Sequence, residues 1–448
     1  MIFFMFIGIA VILLLEGAML HRLITQSDEE RCMGFFLGYP IGVFMNTLIF
    51  FFLHLFHIPF GSISIFGAHG VWMIMLFILL RKKGFALFRR FPLKQISFPT
   101  IPHHPLERIF LVLALVSIAV IFLLGFLSAV TLPMFYWDSF AHWALRAKVS
   151  LEAGSFVIDG VIQPQYPVLL HSLQMLFSPL GFYDQVVNTA TFLLSFTTFL
   201  SIFYIVYRSR DLLSASLVLA LLTGIPLVAI HLRQGMGDIH IVGYVLLSAL
   251  LLDQALSSCN RSNLLLSAIF VAAASWTKYE GLYFGVLPWL MITVAHALRT
   301  RSIGDNIRYG IFPAIILTAP WPILTLVRGL NLSAHGGSFA LHPEAIPFLV
   351  QQLFALGTFG IHWWAIFIIG VLLFSVEWRN PLRFLLDHPS ILWGILSFIL
   401  LLVVYLFTNE VRGLIHRDNF SRAMFLPTLL FTQAFTIECY RRFYIKLS

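Results

Sequence analysis

The residues best suited to chemistry lie in a polar segment, 135–174, that interrupts an otherwise apolar chain. Within it, Asp138, His142 and Arg146 are spaced four residues apart, which places them on one ridge of a helix. The aspartate follows a charge-free apolar run, where partial desolvation makes a carboxylate suited to act as a general base on a hydroxyl group. The same aspartate is equally suited to cap the helix that follows it.

Other ionisable residues occur in short turns between apolar runs. The turn HLRQGMGD ends in Asp238, and the turn WTKYEG contains Lys278 and Glu280. The plainer alternatives are a helix-capping aspartate and a lysine that extends to the membrane surface beside a counter-ion. One or two carboxylates with several cations suit an acceptor hydroxyl together with an anionic, phosphate-bearing ligand. With Asp138 as the catalytic residue, the predicted substrate-binding residues are His142, Arg146, Lys148, Tyr166, His171, Asp238, Lys278, Glu280, Arg417 and Arg422.

The sequence gives no firm indication of a cofactor. It contains no phosphate-binding loop, zinc-ligand spacing or nucleophile elbow. Asp138 has no second acid beside it, which argues against a tight divalent-cation site, and the metal ligands, if any, stay unknown. The three cysteines, Cys32, Cys259 and Cys439, are typical of isolated buried thiols and not of a disulfide framework.

The elements that must position these residues are membrane helices. Charged residues make up 11% of the 448 residues and the mean hydropathy is +0.91, so a soluble domain is disfavoured. A β-barrel is excluded because the apolar runs are continuous and do not alternate with polar residues. Apolar runs near 20 residues recur along the chain, each long enough to cross the bilayer. The sequence predicts an all-α, polytopic integral membrane protein with about 13 transmembrane helices, near 2–20, 34–56, 62–80, 109–131, 185–207, 212–231, 239–258, 263–278, 281–298, 309–327, 350–375, 389–407 and 423–440.

The distribution of positive charge predicts the topology. If the basic, proline-rich segment 81–108 is cytoplasmic, alternation places most of the 28 lysines and arginines on the same side, as the positive-inside rule requires. The N-terminus is then outside, the C-terminus is cytoplasmic, and all the candidate site residues share the exoplasmic face. The net charge of +8 is therefore a topology signal, and no nucleic-acid partner is expected.

Four regions are predicted along the chain. Residues 1–80 form a three-helix membrane extension, and 81–108 form a basic cytoplasmic linker. Residues 109–328 form the catalytic core, with an exoplasmic loop at 132–184 that contains two interfacial helices. Residues 329–448 form the C-terminal transmembrane helices, with exoplasmic loops at 329–345 and 408–422.

These motifs resemble those of GT-C glycosyltransferases, the polyprenyl-phosphate-sugar class that includes protein O-mannosyltransferases and aminoarabinose transferases. The resemblance rests on WDSFAHWALRAKVSLEAGSF, QPQYPVLLHSLQ, GDIHIVGYVLLSALLL, SWTKYEG and FSRAMFLP, and covers about residues 109–327, with a weaker match around Arg422. It implies a GT-C fold with a large first exoplasmic loop. It also implies that Asp138 is the general base of an inverting transfer, and that Lys278 and Arg422 bind the lipid phosphate.

The chain departs from the family pattern at the segment Gln163-Pro164-Gln165-Tyr166-Pro167, where relatives carry histidine and aspartate. An amide cannot act as an acid or a base near neutral pH, so a second carboxylate or a metal there is not supported. Two alternatives stay open. One, which this departure supports, is a catalytically inactive scaffold that binds polyprenyl phosphate or a partner membrane protein. The other is a lipid-linked-sugar transporter, which the absence of a visible repeat disfavours.

The predicted partners are a polyprenyl-phosphate-linked sugar donor, a lipid, glycan or protein acceptor, and membrane lipids. Residues 1–80 lie outside the resemblance and are interpreted as a docking element for a membrane-protein partner or as a lipid-access element. The predicted location is a bacterial inner membrane, with the active site on the exoplasmic side.

Overall fold

A computed structural model describes residues 2–27, 30–85, 102, 104–158, 160–161, 163–181, 184–330, 340–354, 359, 361–377, 379–408 and 420–444. The regular structure of these residues is helical throughout, and none of them forms a strand. Many large apolar side chains on the helices are exposed, as expected for surfaces that face lipid. The protein is therefore an all-α integral membrane protein, as its composition predicts.

The first compact unit comprises Met1–Leu113, Phe122–Ala215 and Leu232–Gly237. Two of its long helices, which end at Thr131 and begin at Asp184, are joined by a segment called here the loop region. The loop region contains two short helices and a π-helical turn, Asp138–Ala144. The helices of this part of the chain are α1 (Ile2–Thr25), α2 (Arg31–Leu55), α3 (Ser62–Lys82), α4 (Pro105–Thr131), α5 (Leu145–Glu152), α6 (Leu169–Phe177) and α7 (Asp184–Ser209).

The second compact unit comprises Ala114–Ile121, Ser216–His231 and Asp238–Ser448. Short π-helical turns precede α12 and α14 and follow the last helix, at Gly281–Val286, Ile307–Ile311 and Tyr440–Tyr444. The helices from residue 212 onward are α8 (Leu212–Thr223), α9 (Pro226–Gln234), α10 (Gly237–Ser258), α11 (Arg261–Thr277), α12 (Leu287–Thr300), α13 (Ile303–Asn306), α14 (Phe312–Thr318), α15 (Pro320–Val327), α16 (Ala345–Phe354), α17 (His362–Val376), α18 (Pro381–Asp387), α19 (Pro389–Phe407), α20 (Phe420–Ala423) and α21 (Phe425–Cys439).

Within the described ranges, nine helices are long and apolar enough to cross a membrane, and two bent helix pairs raise that number to eleven. The predicted count of about 13 is not confirmed. Helix α11 has 17 residues and α21 has 15, which is shorter than a typical crossing. The predicted helix at 350–375 is divided between α16 and α17, and the predicted helix at 212–231 is divided into α8 and α9, which meet at 77°.

Local sequence signals explain where several helices begin and end. Proline occupies the first position of α4 and of α19, where its missing N–H group costs no hydrogen bond. The side chain of Asn260 accepts hydrogen bonds from the first backbone N–H groups of α11. Gly154, predicted to end the interfacial helix, follows α5 with a φ of +69°.

Parts of the predicted regions lie outside the described residues. These are residues 86–101 and 103 of the basic linker, 331–339 of one loop and 409–419 of another, which includes the predicted site residue Arg417. The four regional boundaries given above stay predictions.

Candidate active site

Asp138 is the first residue of the π-helical turn that leads into α5. Its carboxylate is 24% exposed, and its Oδ1 lies 3.7 Å from Nε2 of His142. The wider winding of a π-helix changes the register after the first turn, so the predicted ridge does not continue unchanged to Arg146. Asp138 and His142 do lie side by side, as the first step of that ridge requires, and the carboxylate beside the imidazole is accessible.

A group of aromatic side chains lies beside His142. The rings of Trp143 and Tyr166 stack with their centroids 5.8 Å apart, and the Tyr166 ring lies 5.9 Å from that of His142. Trp143 also packs against His171, at 5.2 Å. Trp143 is almost fully buried and Tyr166 is half-buried. The aromatic group therefore extends from the buried part of the loop region to its surface.

Arg146 points into the loop region, where it binds backbone carbonyl groups. Its Nε donates to the Val157 carbonyl at 3.2 Å, and Nη1 donates to the Tyr166 carbonyl at 3.0 Å. Nη1 and Nη2 also reach the carbonyls of Gln163 and Pro164, at 3.4 and 3.1 Å. A planar guanidinium has five donors in a fixed arrangement, so one side chain can hold several carbonyl groups at once. We infer that Arg146 positions this loop, and its predicted contact with substrate stays a proposal.

His171 lies on α6, every residue of which is buried. Its Nε2 donates to the backbone carbonyl of His142 at 2.8 Å. Burial, together with the nearby positive charge of Arg146, holds the pKa of His171 well below its usual range. His171 is therefore a neutral donor that supports the turn carrying Asp138, and its predicted role in substrate binding stays a proposal.

A second group of charged residues lies in the second unit. Nζ of Lys278 is 2.9 Å from Oδ1 of Asp238 and 2.9 Å from Oε1 of Glu280. Nε and Nη2 of Arg422 donate to Oδ2 of Asp238, at 2.9 and 2.7 Å. The side chains of Lys278 and Asp238 are only 5% and 8% exposed, whereas those of Arg422 and Glu280 are partly accessible. The structure thus brings these four predicted residues together, as two carboxylates and two cations.

The chain reaches this arrangement through a tight turn after α11. Lys278 has an extended backbone that ends α11, and the chain reverses at once into the turn Gly281–Val286. A Cβ atom on Gly281 would lie 2.1 Å from the Ala274 carbonyl oxygen, so only glycine fits where the two segments cross. Asp238 lies in the first turn of α10, where a negative charge is favoured by the helix dipole.

The remaining predicted residues are placed as follows. Lys148 is exposed on α5, and Tyr166 belongs to the aromatic group. Asp138, His142, Arg146, Lys148, Tyr166 and His171 belong to the first unit, whereas Asp238, Lys278, Glu280 and Arg422 belong to the second. Gln163 and Gln165 bond to each other, with Nε2 of Gln165 donating to Oε1 of Gln163 at 2.5 Å.

Sequence reasoning missed two residues that shape the site. Trp143, which the sequence does not single out, links Tyr166 to His171. Gln234 accepts a hydrogen bond at its Oε1 from the Phe135 backbone at 3.0 Å, which fixes the chain just before Asp138. The turn HLRQGMGD contains Gln234, but its partner lies 99 residues earlier, so no local pattern indicates the contact.

The described part of the chain holds no group of three or more histidine, cysteine, aspartate or glutamate side chains arranged to bind a metal ion. The sequence left the metal ligands unknown, and the structure assigns none among these residues.

No protein-family model matches the chain, and no curated protein matches it. Two solved structures are similar: ArnT from Cupriavidus metallidurans in the apo state (TM-score 0.52) and the same protein bound to undecaprenyl phosphate (TM-score 0.51). Each is 15% identical and is matched over 73% of this chain, which spans 59% and 60% of the two ArnT chains. This similarity confirms the GT-C fold that the sequence resemblance predicts.

Proposed function

We propose that this protein is a membrane glycosyltransferase that moves a sugar from a polyprenyl-phosphate-linked donor to an acceptor hydroxyl. The observation that carries the proposal is the partly exposed carboxylate of Asp138, at the start of the first long loop of a GT-C fold, with His142 at 3.7 Å. A structure of ArnT bound to undecaprenyl phosphate supports the donor class, because ArnT has the same fold.

In this mechanism Asp138 is the general base. Its carboxylate takes the proton of the acceptor hydroxyl as that oxygen bonds to the anomeric carbon, and the bond from that carbon to the lipid phosphate breaks. One displacement inverts the configuration at the anomeric carbon. Asp238 is unsuited to this role because both of its oxygens accept hydrogen bonds from cations.

Lys278 and Arg422 are proposed to bind the donor phosphate, on which negative charge builds up during the transfer. In the free protein, Asp238 and Glu280 balance these two cations. Buried cations without counter-ions would be strongly destabilising, so the carboxylates keep the site folded until a phosphate arrives. The partly accessible side chains of Arg422 and Glu280 mark the side from which the phosphate approaches.

We further propose that the site faces the exoplasmic side of a bacterial inner membrane, with the N-terminus outside and the C-terminus in the cytoplasm. The asymmetric distribution of lysine and arginine supports this orientation.

The decisive experiment compares cells that express the wild type with cells that express Asp138→Asn. Asparagine keeps the size of aspartate and its ability to cap a helix but removes the base. Mass spectrometry of glycans, glycolipids and glycoproteins should show a sugar-sized mass difference with the wild type, and its loss by at least about a hundredfold with Asp138→Asn.

Asp211→Asn is the matched control, because Asp211 caps α8 through the Ser214 backbone N–H at 2.8 Å. This variant should keep full activity. If Asp138→Asn is folded, abundant and as active as the wild type, Asp138 has a structural role only. An inactive scaffold or a transporter then describes the protein better.

A further inference from the structure

The three N-terminal helices are tied together by a buried polar group. His69 on α3 lies between Glu16 on α1 and Asn46 on α2, with Nδ1 2.8 Å from Oε1 of Glu16 and Nε2 3.2 Å from Oδ1 of Asn46. All three side chains are almost completely buried. Polar residues inside membrane helices are costly unless paired, so this group fixes the helices relative to one another.

Helices α1 and α2 also approach closely through glycine. A Cβ atom on Gly42 would lie 1.9 Å from the Leu13 carbonyl oxygen, and one on Gly17 would lie 1.9 Å from the Gly38 carbonyl oxygen. Small residues of this kind let two membrane helices pack backbone to backbone. The N-terminal helices therefore form a rigid group.

This rigid group contacts the loop region at α6. Oγ1 of Thr47 on α2 lies 2.9 Å from Oγ of Ser172, and both hydroxyls are buried. Ser172 adjoins His171, which donates to the carbonyl of His142 in the turn that carries Asp138. Two hydrogen bonds thus connect α2 to the candidate catalytic turn.

A second contact involves the connection between α2 and α3. The backbone N–H of Phe60 donates to the Gly154 carbonyl at 2.8 Å. The rings of Phe60 and Phe50 pack against Phe156, with centroids 5.1 and 6.4 Å apart. Phe156 directly precedes Val157, whose carbonyl is bound by Arg146. The phenylalanine contacts therefore connect α2 and the α2–α3 connection to the loop that Arg146 holds, which contains Tyr166.

From these contacts we propose that α1–α3 are a positioning element for the candidate active site, acting through the Thr47–Ser172 hydrogen bond and the phenylalanine group around Phe156. Thr47 is a positioning residue, since it acts on Asp138 through α6. The proposal assigns a role to residues that lie outside the family resemblance. It rests on the proposed function only for the effect on turnover.

The test uses full-length protein in nanodiscs and the variant Thr47→Val, which removes the hydroxyl and keeps the shape. Hydrogen exchange of peptides containing His142 and Tyr166 should become faster, because the support from α6 is weakened. The kcat of sugar transfer should fall by about 10- to 100-fold with an unchanged donor KM, because the base is displaced while the phosphate-binding residues are not.

Thr198→Val is the matched control. Thr198 is also a buried helical threonine whose hydroxyl bonds to its own helix, at the Leu194 carbonyl. Thr198→Val should leave both measurements unchanged. Thr47→Ser, which keeps a hydroxyl group at position 47, should match the wild type in both. Unchanged exchange in Thr47→Val overturns the proposal, as does faster exchange with unchanged kcat. If the wild type transfers no sugar, the exchange result still decides whether α1–α3 support the loop, and the proposed function alone fails.

Discussion

At the scale of single residues, burial separates charges that hold the structure from charges that can meet a substrate. Arg146 and Asp138 are eight positions apart in one short helical segment. Arg146 is nevertheless buried and donates hydrogen bonds to backbone carbonyls, whereas Asp138 is partly exposed. A sequence pattern treats the two as equivalent polar positions. Exposure, which differs between the two side chains, shows which of them a substrate can reach more easily.

His171 makes the stability of the protein depend on pH. Since the pKa of the folded imidazole is well below that of an unfolded histidine, only the unfolded chain binds this proton as the pH falls below about 6.5. This contribution to stability is complete above about pH 6.5 and falls by about 1.4 kcal/mol per pH unit below it. We expect His171→Gln to reduce this acid sensitivity, as measured by the free energy of unfolding in detergent between pH 7 and pH 5.

The control for this prediction is His57→Gln, since His57 is exposed. The pH dependence of this variant should match that of the wild type. An equally steep loss of stability in His171→Gln would show that other groups cause the acid sensitivity.

At the scale of elements, two short turns carry candidate residues, one turn in each compact unit. The π-helical turn Asp138–Ala144 changes the register between Asp138 and Arg146, and the turn after α11 places Lys278 beside Asp238. Both turns depart from regular α-helix at the residues proposed to act. Such departures often occur at functional sites, where the backbone must aim particular side chains.

The turn after α11 depends on Gly281. In Gly281→Ala the new Cβ meets the Ala274 carbonyl oxygen at 2.1 Å, so the backbone must move. We expect a loss of about 1–3 kcal/mol in stability, seen as a lower Tm in detergent. Activity should fall as well, because Lys278 precedes the glycine by three residues.

Gly285→Ala is a suitable comparison within the same turn. Its Cβ would lie 3.2 Å from a methyl group of Val245, so this neighbour needs to move by only a few tenths of an ångström. This variant should lower Tm less than Gly281→Ala does. Equal effects would mean that the crossing at Ala274 is not the cause.

At the scale of the whole molecule, the distribution of charge along the chain predicts which side of the membrane each segment faces. The prediction that Cys259 is a buried thiol is wrong, because this cysteine is exposed in the connection after α10. It is predicted to be cytoplasmic. In a Cys32→Ser, Cys439→Ser background, a membrane-impermeant maleimide should label Cys259 only after the membrane is opened.

A cysteine at Ala153, which is exposed after α5, provides the opposite case. In a cysteine-free background, Ala153→Cys should react in intact cells after removal of the outer membrane. Labelling of Cys259 from outside, with protection of position 153, would reverse the proposed topology and place Asp138 in the cytoplasm.

The sequence by itself determined the features that depend on local composition. Uninterrupted apolar runs require helices in a bilayer, since every backbone group must be satisfied within the segment. The GT-C fold was recognised from motifs such as WDSFAHWALRAK and SWTKYEG, and Gly154 correctly predicted the end of α5. The predicted count of about 13 helices is not confirmed, because apolar runs do not reveal bends, as between α8 and α9, or short buried helices such as α11.

Only the tertiary structure decided which polar residues meet. Arg422 reaches Asp238 across 184 positions, Thr47 reaches Ser172 across 125, and Gln234 reaches Phe135 across 99. Such contacts depend on how separate helices pack, and periodicity within one helix carries no information about its neighbours. The same limit applies to Arg146: the partners that hold it are backbone carbonyls, which every residue has and which no sequence pattern distinguishes.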